Sequence, residues 1–251
     1  MGILQKTGQR LARHLSKPRM RDMELTTSAP QALRSCLRAG DVLLVAGSSR
    51  ISGVIKYLTQ SSWSHSALCI GHLLDSPALG DSARILVEAD VNQGVRVVPL
   101  AEYAGTHTRI CRPVGLSDAE IEQVCRFALE RIGHHYDLKN IFDLARYLLP
   151  TPFVPTRWRR RLLALGSGDP TRAICSSLIA QAFQSVRYPI LPKVYQQESP
   201  DPACRKCYRE ILHIRHHSLF TPRDFDVSPY FSIIKPTLDQ GFDPSALEWA
   251  V

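Results

Sequence analysis

Between Asp41 and Arg112 the chain carries five short apolar or alternating runs, and its long helical stripes come only afterwards. This order constrains the fold more than any other feature. Asp41-Val-Leu-Leu-Val-Ala46 is an apolar run bounded by Gly40 and Gly47 and reads as a buried strand. A short helix is predicted over 52–59. Strands are predicted over Ser64–Ile70, Arg84–Asp90, Val95–Val98 and Thr108–Arg112, with Asn92-Gln-Gly94 as a hairpin signal. Ser117 and Glu120 then form a capping box, and Ile121, Val124, Cys125, Ala128, Leu129 and Ile132 line one helical face that Gly133 ends. A second helical stretch, 138–149, stops before Pro150. Strands first and helices late is an α+β layout rather than regular βαβ alternation.

The rest of the chain divides around that core. Residues 1–30 form a basic leader in which Leu4, Leu11 and Leu15 recur at roughly helical spacing. Residues 150–170 hold four prolines, two glycines and the run Arg157-Trp158-Arg159-Arg160-Arg161, which reads as an inserted basic lobe or linker. A late helix begins near Cys175, with Leu178, Ile179, Ala182, Phe183 and Val186 as its stripe. After a Pro-rich loop, Phe231–Lys235 reads as a closing strand, and 236–251 reads as a tail.

Composition narrows the chemistry. Of the 251 residues, 44% are hydrophobic, enough for a packed core, and no stretch approaches the ~18 apolar residues of a membrane span. The basic N-terminus lacks the apolar run of a secretory signal. Seven cysteines without such a signal argue for free thiols in a reducing compartment. The expected location is cytoplasmic, with a place at the membrane surface or export without a cleaved signal left open. No cofactor is expected.

Among those thiols Cys175 stands apart. It precedes its helix's apolar stripe by three residues and is followed by Ser176 and Ser177, so it can face a cleft while the stripe faces the core. The start of a helix and a neighbouring imidazolium both favour the thiolate that cysteine chemistry requires. Cys125, inside an apolar stripe, reads as core packing. Of the nine histidines only His65 and His72 bracket an apolar strand; seven residues apart, they point to opposite faces. His65 lies at the strand entry in Ser61-Ser-Trp-Ser-His-Ser-Ala-Leu. Glu88 ends the apolar run Ile85-Leu-Val-Glu88 and needs a partner for its charge. Asp90 and Asn92 share its parity as alternatives.

Gly40-Asp41, Trp63-Ser-His65-Ser-Ala, Val87-Glu88-Ala, Tyr136-Asp137, Cys175-Ser-Ser-Leu and Thr221-Pro-Arg-Asp-Phe225, in this order, resemble the permuted papain-like cysteine hydrolases of the NlpC superfamily. The subgroup is YiiX/YebB-like, with lecithin–retinol acyltransferases as distant relatives. The resemblance spans roughly 38–235. In this group the histidine strand comes first and the cysteine helix late, and here Cys175 follows His65 by 110 positions. The resemblance implies a circularly permuted papain-like fold, in which an antiparallel sheet or barrel packs against a nucleophile-bearing helix. It implies Cys175 as nucleophile, His65 as base and Glu88 as the orienting group, with Tyr136, Ser64 and Trp63 near the substrate. The reaction implied is hydrolysis of peptide-like amides through an acyl-thioester.

Two other readings share or borrow this site: a lipid-directed acyltransferase or lipase, and a non-catalytic module on the same fold. Trp158, Arg159 and Arg160, with a net charge of +8, suit contact with an anionic membrane as well as a solvated basic surface. No nucleic-acid-binding motif accompanies them, so nucleic acid is not an expected partner. Cys204-Arg-Lys-Cys207 has metal-ligand spacing, but His213 follows too soon for a familiar zinc finger, and no metal site is expected.

Overall fold

The first strand, β1 (Val42–Ala46), is buried at every residue because both faces of its sheet are covered. A computed structural model of the chain describes residues 29–71, 84–90, 93–134, 174–198 and 208–246. In chain order they form α1 (Pro30–Cys36), β1, α2 (Arg50–Thr59), β2 (His65–Cys69), β3 (Arg84–Asp90), β4 (Gly94–Pro99), β5 (His107–Pro113), α3 (Asp118–Leu129) and α4 (Ile174–Ser185). There follow β6 (Lys193–Glu198), β7 (Tyr208–His213), α5 (Pro222–Asp226), β8 (Phe231–Ile234) and α6 (Pro236–Asp239).

Six strands make one sheet in the order β4-β3-β2-β1-β5-β8, with every neighbouring pair antiparallel. Strand alternation sorts the side chains into two cores. Leu44, Leu68, Ile70, Val87 and Ala89 pack with Val124, Cys125 and Ala128 of α3 and with Leu178, Ile179, Ala182 and Phe183 of α4. Leu43, Val45, Ala67, Cys69, Leu86 and Ile110 face the other way, onto Leu33 and Cys36 of α1. The expected α+β arrangement is thus an α/β/α layering of one antiparallel sheet.

Local chemistry fixes the joints. Gly40 has φ +83°, and a Cβ there would sit 3.0 Å from Ile121 Cγ2, so glycine lets α3 close on the start of β1. Next to it, Asp41 is 1% exposed and binds Arg112 of β5 through two 2.8 Å bonds, Nε to Oδ1 and Nη2 to Oδ2. Arg112 also donates to the Cys36 carbonyl, tying α1 to the sheet. The Ser117–Glu120 capping box starts α3 as the sequence indicates. At β3–β4, Asp90 pairs with Gly94, whose φ is +75°, and this register sets Glu88 opposite Arg96.

Three segments differ from expectation. The stretch read as a Pro-rich loop contains the paired strands β6 and β7, whose Val194, Tyr195 and Leu212 are exposed; Lys193-Val-Tyr-Gln-Gln-Glu198 and Tyr208-Arg-Glu-Ile-Leu-His213 carry no apolar alternation to read. The chain after 235 turns back as α6, where Asp239 accepts a hydrogen bond from the Cys36 thiol. Helix α3 ends at Leu129, leaving Ile132, counted in its stripe, exposed. The leader, the 138–149 helix and the 150–170 lobe lie outside the described residues, apart from the last two residues of the leader. Among the described residues no helix is long and apolar enough to cross a membrane.

Candidate active site

Cys175 is the second residue of α4, where backbone N–H groups have no partners within the helix and the helix dipole is positive. Its neighbours Ser176 and Ser177 are buried, and the thiol residue itself is 5% exposed. His65 is the first residue of β2. Alternation assigns it to the α1 side of the sheet, whereas α4 packs on the opposite side against β2 and β3. Because His65 opens its strand, the ring lies at the end of the sheet and hydrogen-bonds Cys175 there. A quarter of the His65 side chain remains exposed.

The two groups charge one another. Burial raises the thiol pKa of Cys175, but the His65 charge and hydrogen bond, with hydrogen bonds from Ser66, outweigh it and hold the value below that of an ordinary thiol. Burial lowers the His65 pKa, and Cys175 and Glu88 outweigh that, setting it well above an ordinary imidazole. Each group thus favours the charged form of the other, the thiolate of Cys175 and the imidazolium of His65. The buried core thiols behave oppositely: burial pushes Cys69 up to about 12 and Cys125 up to about 11.

Glu88 orients the imidazole. His65 Nε2–H donates to Glu88 Oε2 at 2.5 Å, which leaves Nδ1 as the ring nitrogen for the sulfur. Glu88 also accepts from Arg96 Nε at 2.8 Å and from the Tyr103 hydroxyl, and Arg96 in turn binds Glu102. Burial raises the Glu88 pKa, yet His65, Tyr103 and Arg96 together bring it down to about 2. Since this lies below the ordinary 4.5, the resulting stabilisation is complete above about pH 4.5 and disappears as the pH falls through about 2. Its size is on the order of 3 kcal/mol. Glu88→Gln is expected to remove that acid sensitivity, to bring the alkaline limb of activity to lower pH by weakening the imidazolium, and to cut kcat/KM ~10²-fold. Acid unfolding curves and pH–rate profiles of the two proteins check this.

The other sequence-selected residues fall in different places. Trp63 is 2% exposed; its indole N–H donates to Asp226 at 3.0 Å, its ring stacks on His107, and Arg109 lies over it. Ser64 is buried, accepts from the Gly47 N–H at 2.9 Å and donates to the Val45 carbonyl. The described contacts of both are internal to the fold. Asp90 accepts from Gln93 N–H in the β3–β4 turn. Tyr136, Asn92, His72, Trp158, Arg159, Arg160, Cys204 and Cys207 lie outside the described residues. Sequence reading missed Arg96, Tyr103 and the serines beside the reactive pair. Arg96 was legible by counting back from the hairpin turn; Tyr103, in a 3-10 turn over Leu100–Tyr103, carries no local signal.

Residues 36–147 match the model of a family described as permuted papain-like amidase enzyme, YaeF/YiiX, C92 family. That span holds His65 and Glu88 and stops before Cys175. No curated protein matches the chain. A solved structure, described as metalloprotein yiiX from Escherichia coli O157:H7, is similar at 12% identity and a TM-score of 0.40, covering 79% of this chain and 96% of that one. The histidine strand precedes the cysteine helix, and over residues 36–147, somewhat less than half of its length, the chain is similar to the permuted papain-like amidase family YaeF/YiiX, C92.

Proposed function

We propose that the protein hydrolyses amide bonds of peptide-like substrates through a thioester on Cys175, with His65 as acid and base and Glu88 as its orienting partner. One observation carries the reading: a thiol at the start of a helix is hydrogen-bonded to an imidazole whose other nitrogen is held by a buried carboxylate. That is the triad logic of activated nucleophiles.

The Cys175 thiolate adds to the substrate carbonyl carbon, and the carbonyl electron pair moves to oxygen. Backbone N–H groups of the first turn of α4, including that of Cys175, face the developing charge. As the C–N bond breaks, His65 Nδ1 gives its proton to the departing nitrogen, leaving a thioester and a neutral imidazole. His65 then takes a proton from water as the water oxygen attacks the thioester. Collapse releases the carboxylic acid and restores thiolate and imidazolium. Amide and water become acid and amine. An ester would be opened by the same thiolate, so an amide and an ester of one acyl group are to be compared as substrates.

The test begins at the sulfur. At pH 6 iodoacetamide is expected to alkylate Cys175 at least ~10-fold faster than Cys69 or Cys125, since only the thiolate reacts. Peptide mapping by mass spectrometry reads this out. A Cys175 that reacts no faster than Cys125 overturns the proposal.

A further inference from the structure

Strand β2 and helix α4 also meet through two side chains that amide chemistry does not itself demand. Ser66 follows His65, and Ser176 follows Cys175. Both are fully buried, and their hydroxyl oxygens are 3.2 Å apart although the residues are 110 positions distant in sequence. Ser66 hydrogen-bonds the Cys175 sulfur through its side chain and its backbone N–H, and the sulfur lies 3.9 Å from Ser176 Oγ.

Proton allocation follows from what each group can donate. A thiolate has only lone pairs, and a serine hydroxyl has one proton and two lone pairs. The arrangement that satisfies the sulfur sends the Ser66 proton to the thiolate and the Ser176 proton to Ser66 Oγ. The reverse arrangement would send the Ser66 proton to Ser176 and leave the Ser176 hydroxyl, 3.9 Å away, as the serine side-chain donor to the sulfur, a long and weak bond to a buried negative charge.

We propose that Ser66 and Ser176 form a buried donor chain ending on the Cys175 sulfur, which makes Ser66 a positioning residue for the nucleophile. The proposal rests on the reading of Cys175 as nucleophile and deepens it. The chain acts at two points in the cycle. In the resting enzyme it holds the sulfur beside the His65 ring and favours its ionised form. In the acyl-enzyme the sulfur is a neutral thioester and a poor acceptor. When the thioester breaks, negative charge returns to the sulfur and the Ser66 O–H meets it again, assisting departure of the thiolate. No proton leaves either serine; the hydroxyls donate hydrogen bonds and nothing more.

The pH dependence of iodoacetamide alkylation at Cys175, measured on the full chain and its variants, tests the chain without any substrate. In Ser66→Ala the acid limb is expected to move up by about one pH unit, while the limiting rate at high pH holds or rises because a less stabilised thiolate is more nucleophilic. Ser176→Ala is expected to move the limb in the same direction by less. A role confined to packing would lower thermal stability and leave the limb in place, and an unmoved limb in Ser66→Ala overturns the proposal. Should that variant fail to fold, the limb of Ser176→Ala decides in the same way. A wild-type protein with no thiolate at acid pH overturns the reading of Cys175 itself, so the two failures are separable.

Discussion

Cys175→Ala is expected to lower kcat/KM for amide hydrolysis by roughly 10⁴-fold or more while leaving the fold in place. The thiolate forms the covalent bond that divides the reaction into two accessible steps, and neither His65 nor Glu88 can replace it. Cys175→Ser should fall nearly as far. A serine hydroxyl ionises far less readily than a thiol, and the His65 charge and hydrogen bond that lower the Cys175 pKa cannot close that gap for an alcohol. Stability should change little, because the lost sulfur sits at the first turn of α4, while the packing of that helix rests on Leu178, Ile179, Ala182 and Phe183. Steady-state hydrolysis of a peptide amide, run beside a thermal melt, measures both. Turnover by Cys175→Ala within tenfold of wild type would remove the thiol mechanism.

The largest effect on stability is expected at the other end of β1. Asp41 is buried and accepts two hydrogen bonds from Arg112 and one from the Arg38 backbone N–H. Asp41→Ala would strand a guanidinium that is four-fifths buried and cut the link between β1, β5 and α1. Removing one partner of such a pair costs about 3–5 kcal/mol, chiefly because the remaining charge is left without compensation. Urea unfolding should show this as a lower midpoint with an unchanged slope. The reactive pair lies at the opposite end of the sheet, since Val45 rather than Val42 pairs with His65. Alkylation of Cys175 at pH 6 should therefore persist in the folded fraction. A loss of less than 1 kcal/mol would mean that Arg112 finds other acceptors.

The two residues also show which parts of the site were legible in the sequence. Cys175 was singled out by its place ahead of an apolar stripe, and His65 by its place at the mouth of an apolar strand; both are properties of contiguous residues. Glu88 was picked because a carboxylate ending a buried strand needs a partner, and its partners are His65, Arg96 and Tyr103. Asp41 was noted only as the start of an apolar run and as part of the resemblance, because nothing local announces that Arg112, 71 positions on, will meet it. Trp63, a substrate contact by the resemblance, has its indole on Asp226, 163 positions away.

By itself the sequence determined the elements and their order: buried strands, a capped helix, the histidine strand ahead of the cysteine helix. Periodicity, capping and turn chemistry act between residues a few positions apart, and burial of the resulting faces drives the sheet between its helices. Only the tertiary structure decided that His65 reaches Cys175 around the end of the sheet, that Arg96 and Tyr103 keep Glu88 ionised, and that Ser66 meets Ser176. It also decided that the polar strands β6 and β7 pair. Hydrogen bonds and charge interactions act through space and are strong only where packing has excluded water, so their partners emerge when distant segments are brought together.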